Sequence, residues 1–108
     1  MVAGKPVPVV ITETELLNSI RAAARDCGWL IYRAQFSMYS SRGFPDLFML
    51  RKGVAFAWEL KGAKGKTTEA QEEFLRELAL VPGVDARVIR PADLEQAYQA
   101  LVTGTWPT

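Results

Sequence analysis

The sequence contains no histidine and only one cysteine, Cys27. Without histidine, the chain cannot form a Ser-His-Asp or Cys-His catalytic centre or any histidine-ligated metal site. A single cysteine excludes an internal disulfide and a zinc centre built from several cysteines. Any catalysis must therefore rely on carboxylate and lysine side chains, and sites of that kind usually recruit a hard cation such as Mg²⁺.

The net charge and the lengths of the apolar runs exclude few further classes of protein. The net charge is only +1, so bulk charge does not indicate a nucleic-acid partner. No apolar run approaches the roughly 18 residues that a membrane span requires, and the first residues show no secretory signal. We therefore expect a single domain over residues 1–108, with its core at about 12–102, located in the cytoplasm and without a membrane partner.

Capping residues mark the predicted helices. Thr12 and Glu15 form a capping box that begins the first helix, and Gly28 ends it. Thr68 begins the second helix, with Gln71 in the corresponding capping-box position. This helix is expected to run to about residue 81, and a last helix is expected over residues 92–102.

Short apolar runs predict four strands, at residues 29–32, 46–51, 54–61 and 84–89. The element order is therefore α-β-β-β-α-β-α. A strand, a helix and a strand in succession from 54 to 89 indicate a right-handed parallel crossover, whereas the second and third strands form an antiparallel hairpin. The fold class is α/β, with a mixed central sheet flanked by helices.

Along the third strand, side chains alternate between two faces. Glu59 and Lys61 therefore point the same way, on the face that also carries the small residues Ala55 and Ala57. We expect this face to leave a groove beside the carboxylate and the ammonium group. The opposite face belongs in the core because it carries large apolar side chains: Val54, Phe56, Trp58 and Leu60.

The register of the hairpin decides whether a second carboxylate joins Glu59. A two-residue turn at 52–53 places Asp46 opposite Glu59, with Cβ atoms about 4.5–5.5 Å apart. Two carboxylates at that separation repel each other unless a cation or a proton lies between them. A three-residue loop at 51–53 would instead place Asp46 opposite Trp58, and Lys-Gly is not a favoured pair for the shorter turn. The sequence leaves both registers open.

Two motifs resemble those of a known nuclease superfamily. Gly43-Phe44-Pro45-Asp46 followed by Glu59-Leu60-Lys61 resembles the bipartite motif of the PD-(D/E)xK nucleases, whose core is restriction-endonuclease-like. The continuation Lys64-Gly65-Lys66 with Gln71 resembles, more narrowly, the VRR-NUC family of virus-type replication-repair nucleases. The resemblance covers roughly residues 13–90 and implies a Mg²⁺-dependent deoxyribonuclease, in which Mn²⁺ would substitute for Mg²⁺.

The resemblance also implies roles for individual residues. Asp46 and Glu59 would bind the metal, and Leu60 would contribute its backbone carbonyl. Lys61 would orient or activate the attacking water and stabilise charge on the phosphate. Gln71 is either a helix N-terminal residue alone or also holds the catalytic centre.

A further carboxylate is expected on the first helix, where Glu13 and Glu15 compete. Glu13 shares a helical stripe with Leu17 and Ile20, whereas the capping box explains Glu15. We therefore choose Glu13 as the accessory metal ligand.

Four residues are candidates for DNA contact. Lys64 and Lys66 follow the catalytic motif and are either solvated loop charges or phosphate contacts. Ser41 and Arg42 lie in the polar loop before Asp46, where ordinary surface is the simpler interpretation.

The resemblance implies a viral or bacterial origin, a bacterial host cytoplasm and a homodimer acting on branched DNA, above all four-way junctions. Two symmetric incisions need two centres, whereas one chain has one, and two-fold homodimers are the commonest assembly. Residues 36–45 and Trp106 are the candidate contacts between copies, and the alternative for Trp106 is packing on the body of its own chain. The alternatives are a monomeric flap or nicking nuclease and a catalytically silent DNA-binding module.

Overall fold

The computed structural model describes residues 11–33 and 43–108. Within them the element order is the predicted one. The bounds are α1 Glu13–Asp26, β1 Leu30–Arg33, β2 Leu47–Arg51, β3 Val54–Leu60, α2 Glu69–Ala79, β4 Val84–Ile89 and α3 Leu94–Thr103. A 3₁₀ turn at Pro91–Asp93 precedes α3, so the last helix begins later than the sequence predicts. No helix of the described residues has the length and apolar character to cross a membrane.

The four strands form one mixed sheet in the order β1-β2-β3-β4. The pairing of β2 with β3 is antiparallel and that of β3 with β4 is parallel, as the sequence predicts. The pairing of β1 with β2 is also antiparallel. The main core contains apolar residues of α1, α3 and one face of the sheet. The remaining helix, α2, contacts β3 and β4 on the opposite face. The sheet therefore lies between two helical layers.

The hairpin between β2 and β3 adopts the shorter turn. Arg51 pairs with Val54, which leaves only Lys52 and Gly53 in the turn. Both have positive φ, 50° and 82°, as a type I′ turn requires. A lysine in this left-handed region costs about 1–2 kcal/mol, which explains why Lys-Gly is not a favoured pair. The observed register decides between the two that the sequence leaves open.

Stacked aromatic rings occupy the centre of the main core. Phe56 stacks on Trp29 and on Trp58, with ring centroids 4.4 and 4.7 Å apart. All three residues are buried, as predicted. Trp106 makes an edge contact with Trp58 at 5.8 Å and lies under the guanidinium group of Arg87 at 3.9 Å. The ring of Trp106 therefore packs on the body of its own chain, and a contact with a second copy stays a prediction.

The alanine face of β3 differs from its expected role as an open groove. Ala55 and Ala57 are buried, with exposed fractions of 7% and 0%. Helix α2 covers this side of β3 and β4, and small side chains allow a helix to approach a sheet closely. The expectation of a groove along these alanines is therefore wrong. The chemistry-bearing residues lie beyond them, where β3 ends.

Candidate active site

The carboxylate of Asp46 is hydrogen-bonded to the backbone at the end of β3. Asp46 immediately precedes β2, and continuing the observed register by one residue places it opposite Glu59. Its Oδ2 accepts a hydrogen bond from the Leu60 backbone N–H at 2.9 Å. The N–H and C=O groups of a strand residue point to the same side, so the Leu60 carbonyl is directed towards Asp46 as well. The two halves of the motif therefore meet.

Glu59 has a buried carboxylate whose two oxygens differ in their hydrogen-bond partners. Its side chain is only 2% exposed. Oε2 accepts a hydrogen bond from Gln71 Nε2 at 2.9 Å and lies 3.5 Å from Lys61 Nζ. Oε1 is buried and has no hydrogen-bond partner among the described residues. A buried oxygen without a hydrogen-bond partner lowers the stability of the fold. Oε1 is therefore the atom of Glu59 that a ligand would contact.

The surroundings of Glu59 strongly favour its protonated form. Burial raises the pKa of Glu59 from its ordinary value of 4.5 to about 8, and the negative charge of nearby Asp46 also raises it. Lys61 lowers the pKa, but by less. Glu59 therefore keeps its proton at neutral pH unless another positive charge replaces it.

Gln71 performs two roles with the two ends of one amide. Its Oε1 accepts from the Thr68 backbone N–H at 2.9 Å, and its backbone N–H donates to Thr68 Oγ1 at 3.2 Å, which completes the predicted capping box. Its Nε2 is then free to donate to Glu59. Gln71 is thus not a helix N-terminal residue alone, since it also contacts Glu59, and its role in a catalytic centre stays a prediction. The cap fixes the amide orientation that serves the carboxylate.

Gly43 brings the loop before β2 against the beginning of α2. It has a φ of +84°, and a Cβ atom built on it would clash with the Ala70 backbone and lie 2.8 Å from Gln71 N. Phe44 packs edge-on against Phe74 of α2 at 5.7 Å. Glycine is therefore required for α2 to come this close. The Gly43-Phe44-Pro45-Asp46 motif includes this glycine, but the sequence does not predict its contact with α2.

The lysine-containing loop after β3 lies beside the carboxylates. Lys64 and Lys66 are exposed in the loop, as phosphate contacts or solvated charges would be. No sequence pattern marks Arg90, yet its guanidinium group donates to the carbonyls of Gly62 and Gly65 in this loop. Ser41 and Arg42 lie outside the described residues.

Glu13 is not brought to this centre. It is exposed in the first turn of α1, and Glu15 makes the predicted capping box with Thr12. Within residues 11–33 and 43–108, no three acidic or cysteine side chains cluster in a way that would hold a metal ion. The structure thus brings together Asp46, Glu59, Lys61 and Gln71, and an accessory role for Glu13 stays a prediction.

The donor set fits a hard divalent cation. Two carboxylates and a backbone carbonyl are oxygen ligands of the type that Mg²⁺ prefers, with water completing the coordination. The unpaired Oε1 of Glu59 and the raised pKa of this residue both indicate missing positive charge. Asp46, Glu59 and the Leu60 carbonyl are therefore the groups that would hold it.

Two solved structures share this fold. One, described as a VRR_NUC domain, has a TM-score of 0.64 and 17% identity and covers 82% of this chain and 97% of that chain. The other, described as a VRR_NUC domain protein, has a TM-score of 0.60 and 21% identity and covers 92% and 100%. No family model and no curated protein matches the sequence. The chain therefore has the fold of VRR_NUC domains, which confirms the predicted fold class.

The raised pKa of Glu59 predicts an unusual pH dependence of stability. Between pH 4.5 and about 8 the folded chain retains a proton that the unfolded chain loses, so the free energy of unfolding should fall as pH rises through this window. Glu59→Gln should match the wild type near pH 4 and be more stable near pH 9, by roughly 1–3 kcal/mol after solvent screening. Urea unfolding in a chelator measures this, with Glu95→Gln on exposed α3 surface as the control. Parallel curves for Glu59→Gln and wild type would contradict the environment described for Glu59.

The close approach at Gly43 predicts a large effect of a single methyl group. Gly43→Ala should destabilise the fold by about 2–4 kcal/mol, because positive φ and overlap with the α2 backbone act together. Gly28→Ala is the matched control, since Gly28 has the same φ of +84° with nothing within 4 Å of the added atom. It should lose only about 1–2 kcal/mol from backbone strain. Equal losses in urea unfolding would show that the contact with α2 is unimportant.

Proposed function

We propose that this chain belongs to the VRR-NUC nucleases and hydrolyses phosphodiester bonds of DNA with a divalent cation. The observation that carries the proposal is the buried, unpaired Oε1 of Glu59 beside Asp46. A purely structural carboxylate would have both oxygens satisfied. The fold shared with VRR_NUC domains and the matching motif residues support the same assignment.

Each residue of the centre has a role in this mechanism. Asp46 and Glu59 would hold the cation, with the Leu60 carbonyl as the third protein ligand. A bound Mg²⁺, or Mn²⁺ in its place, supplies Lewis-acid polarisation of the scissile phosphate and lowers the pKa of a bound water. Asp46 is fixed by the Leu60 N–H, so its second oxygen is available to the ion.

The partners of Glu59 leave one of its oxygens for the cation. Gln71 and Lys61 both act on Oε2, which keeps the carboxylate in one orientation with Oε1 unoccupied. Glu59 would have to be ionised to hold a cation, so it would give up the proton that burial favours. Gln71 is a positioning residue in this scheme because it contacts the carboxylate and not the phosphate.

Lys61 is the catalytic lysine. Its ammonium group is held beside Glu59, 3.5 Å from Oε2, and the side chain is 14% exposed. From this place it would orient the attacking water and stabilise negative charge on the phosphate as the bond breaks. Lys64 and Lys66 are proposed as backbone contacts that hold DNA near the centre.

Cleavage of defined DNA substrates tests this proposal. With Mg²⁺ or Mn²⁺, the wild type should cut at least one of single-stranded, duplex, flap and four-way DNA. Asp46→Asn should lose cleavage, and calorimetry should show weakened cation binding because a ligand is gone. Absence of cleavage by a wild type that still binds DNA would leave the silent-module alternative.

Substitutions of Lys61 and of the loop lysines Lys64 and Lys66 should have different effects in the same assay. Lys61→Ala should abolish cleavage and keep most DNA affinity, since one phosphate contact among several carries a modest share of binding. Replacing Lys64 and Lys66 together by alanine should weaken binding and flatten its salt dependence. Identical behaviour of the two variants would contradict the division between a catalytic lysine and binding lysines.

We further propose that the substrate is branched DNA and the active form a homodimer. The support is the single Asp-Glu-Lys centre among the described residues, because paired incisions need two centres held at a fixed spacing. Light scattering at micromolar concentration should give twice the mass of one chain. A single-chain mass that persists with four-way DNA bound would favour the monomeric flap or nicking alternative.

A further inference from the structure

Arg90 is the first residue after β4, and its side chain binds the loop that follows Lys61. Its Nη1 donates to Gly62 O and to Gly65 O, each at 2.8 Å. The loop is itself a turn, because Gly65 N donates to Gly62 O at 3.2 Å. One nitrogen of Arg90 thus holds both ends of a tight turn that lies 25 and 28 residues away in sequence.

The turn held by Arg90 packs on the side chain of Lys61. A Cβ atom built on Gly65 would lie 3.4 Å from Lys61 Cδ and 3.6 Å from its Cβ. The Lys61 backbone N–H also donates to Ile89 O, next to Arg90, at 3.0 Å. The stem of Lys61 is therefore confined between its own strand and the turn. This confinement keeps its ammonium group beside Glu59.

The backbone of Arg90 is fixed independently of the loop. Its N–H donates to Asp93 Oδ2 at 2.8 Å, and its carbonyl accepts from the Asp93 N–H at 2.8 Å. Pro91 follows directly and restricts the chain further. The guanidinium group therefore extends from a rigid point on the body of the fold.

We propose that Arg90 is a positioning residue that fixes the Lys61 side chain through the Gly62–Gly65 turn. This inference rests on the proposed function, in which Lys61 acts at the scissile phosphate. In this role Arg90 acts through the Gly62 and Gly65 carbonyls and needs no contact of its own with the phosphate or a cation. The same turn carries Lys64 and precedes Lys66, so Arg90 also sets where these two exposed charges stand.

Chemical labelling of lysines tests the proposal without DNA or metal. Arg90→Met keeps the aliphatic stem of the side chain and removes the donors to Gly62 and Gly65. In this variant the acetylation rate of Lys61, measured by mass spectrometry relative to exposed Lys52, should rise severalfold. Amide hydrogen exchange at Gly65 should accelerate as well, because the turn is no longer held.

Arg87→Met is the matched control. Arg87 lies on the same strand and is partly buried in an ion pair with Asp85, but it does not contact the turn. It should lose stability through that pair and its stacking on Trp106, and leave the labelling of Lys61 unchanged. The proposal would be overturned if Arg90→Met left both Lys61 labelling and Gly65 exchange at wild-type rates, or if Arg87→Met changed them equally.

Cleavage kinetics provide the functional readout. Arg90→Met should lower kcat by about tenfold to a hundredfold, since displacing a catalytic group by about 1 Å has effects of that size. Arg87→Met should keep the wild-type kcat, and an equal loss of kcat in both variants would overturn the proposal. If the wild type cleaves no DNA, the proposed function fails, and the labelling experiment still decides whether Arg90 positions Lys61.

Discussion

The register between β2 and β3 is the constraint on which the candidate site depends. Side chains alternate faces along a strand, so a slip of one residue would move Asp46 away from Glu59 and turn the core side chains outward. The two-residue turn sets this register with both residues at positive φ. The Leu60 N–H then fastens Asp46 beside the end of β3. The backbone strain of Lys52 at positive φ is therefore offset by the strand pairing that the turn allows.

The second helix converts this pair of carboxylates into an oriented site. Gly43 allows the beginning of α2 to approach the loop before β2. At that point the Gln71 side chain both caps the helix and donates to Glu59. Capping and site geometry therefore depend on one amide group. Burial and the charge of Asp46 raise the pKa of Glu59 within this site, which is the kind of local destabilisation that functional sites retain.

Local patterns were sufficient for much of the fold. Capping boxes at Thr12 and Thr68 begin helices where predicted, because each is made within four residues of sequence. The alternation along β3 correctly separates the core residues from Glu59. The motif residues Asp46, Glu59 and Lys61 are brought together, and the resemblance stated from them is confirmed at the level of the fold.

What the sequence determined alone was therefore the element order, the caps and the identity of the motif residues, all of which depend on short-range stereochemistry. The tertiary structure decided which turn the hairpin adopts, that Ala55 and Ala57 lie under a helix, and that Trp106 packs on Trp58. It also decided that Gly43 contacts α2 and that Arg90 holds the Gly62–Gly65 turn. The contacts of Gly43, Trp106 and Arg90 join residues about 25 or more positions apart, and no periodicity or spacing in the chain encodes which distant atoms they meet.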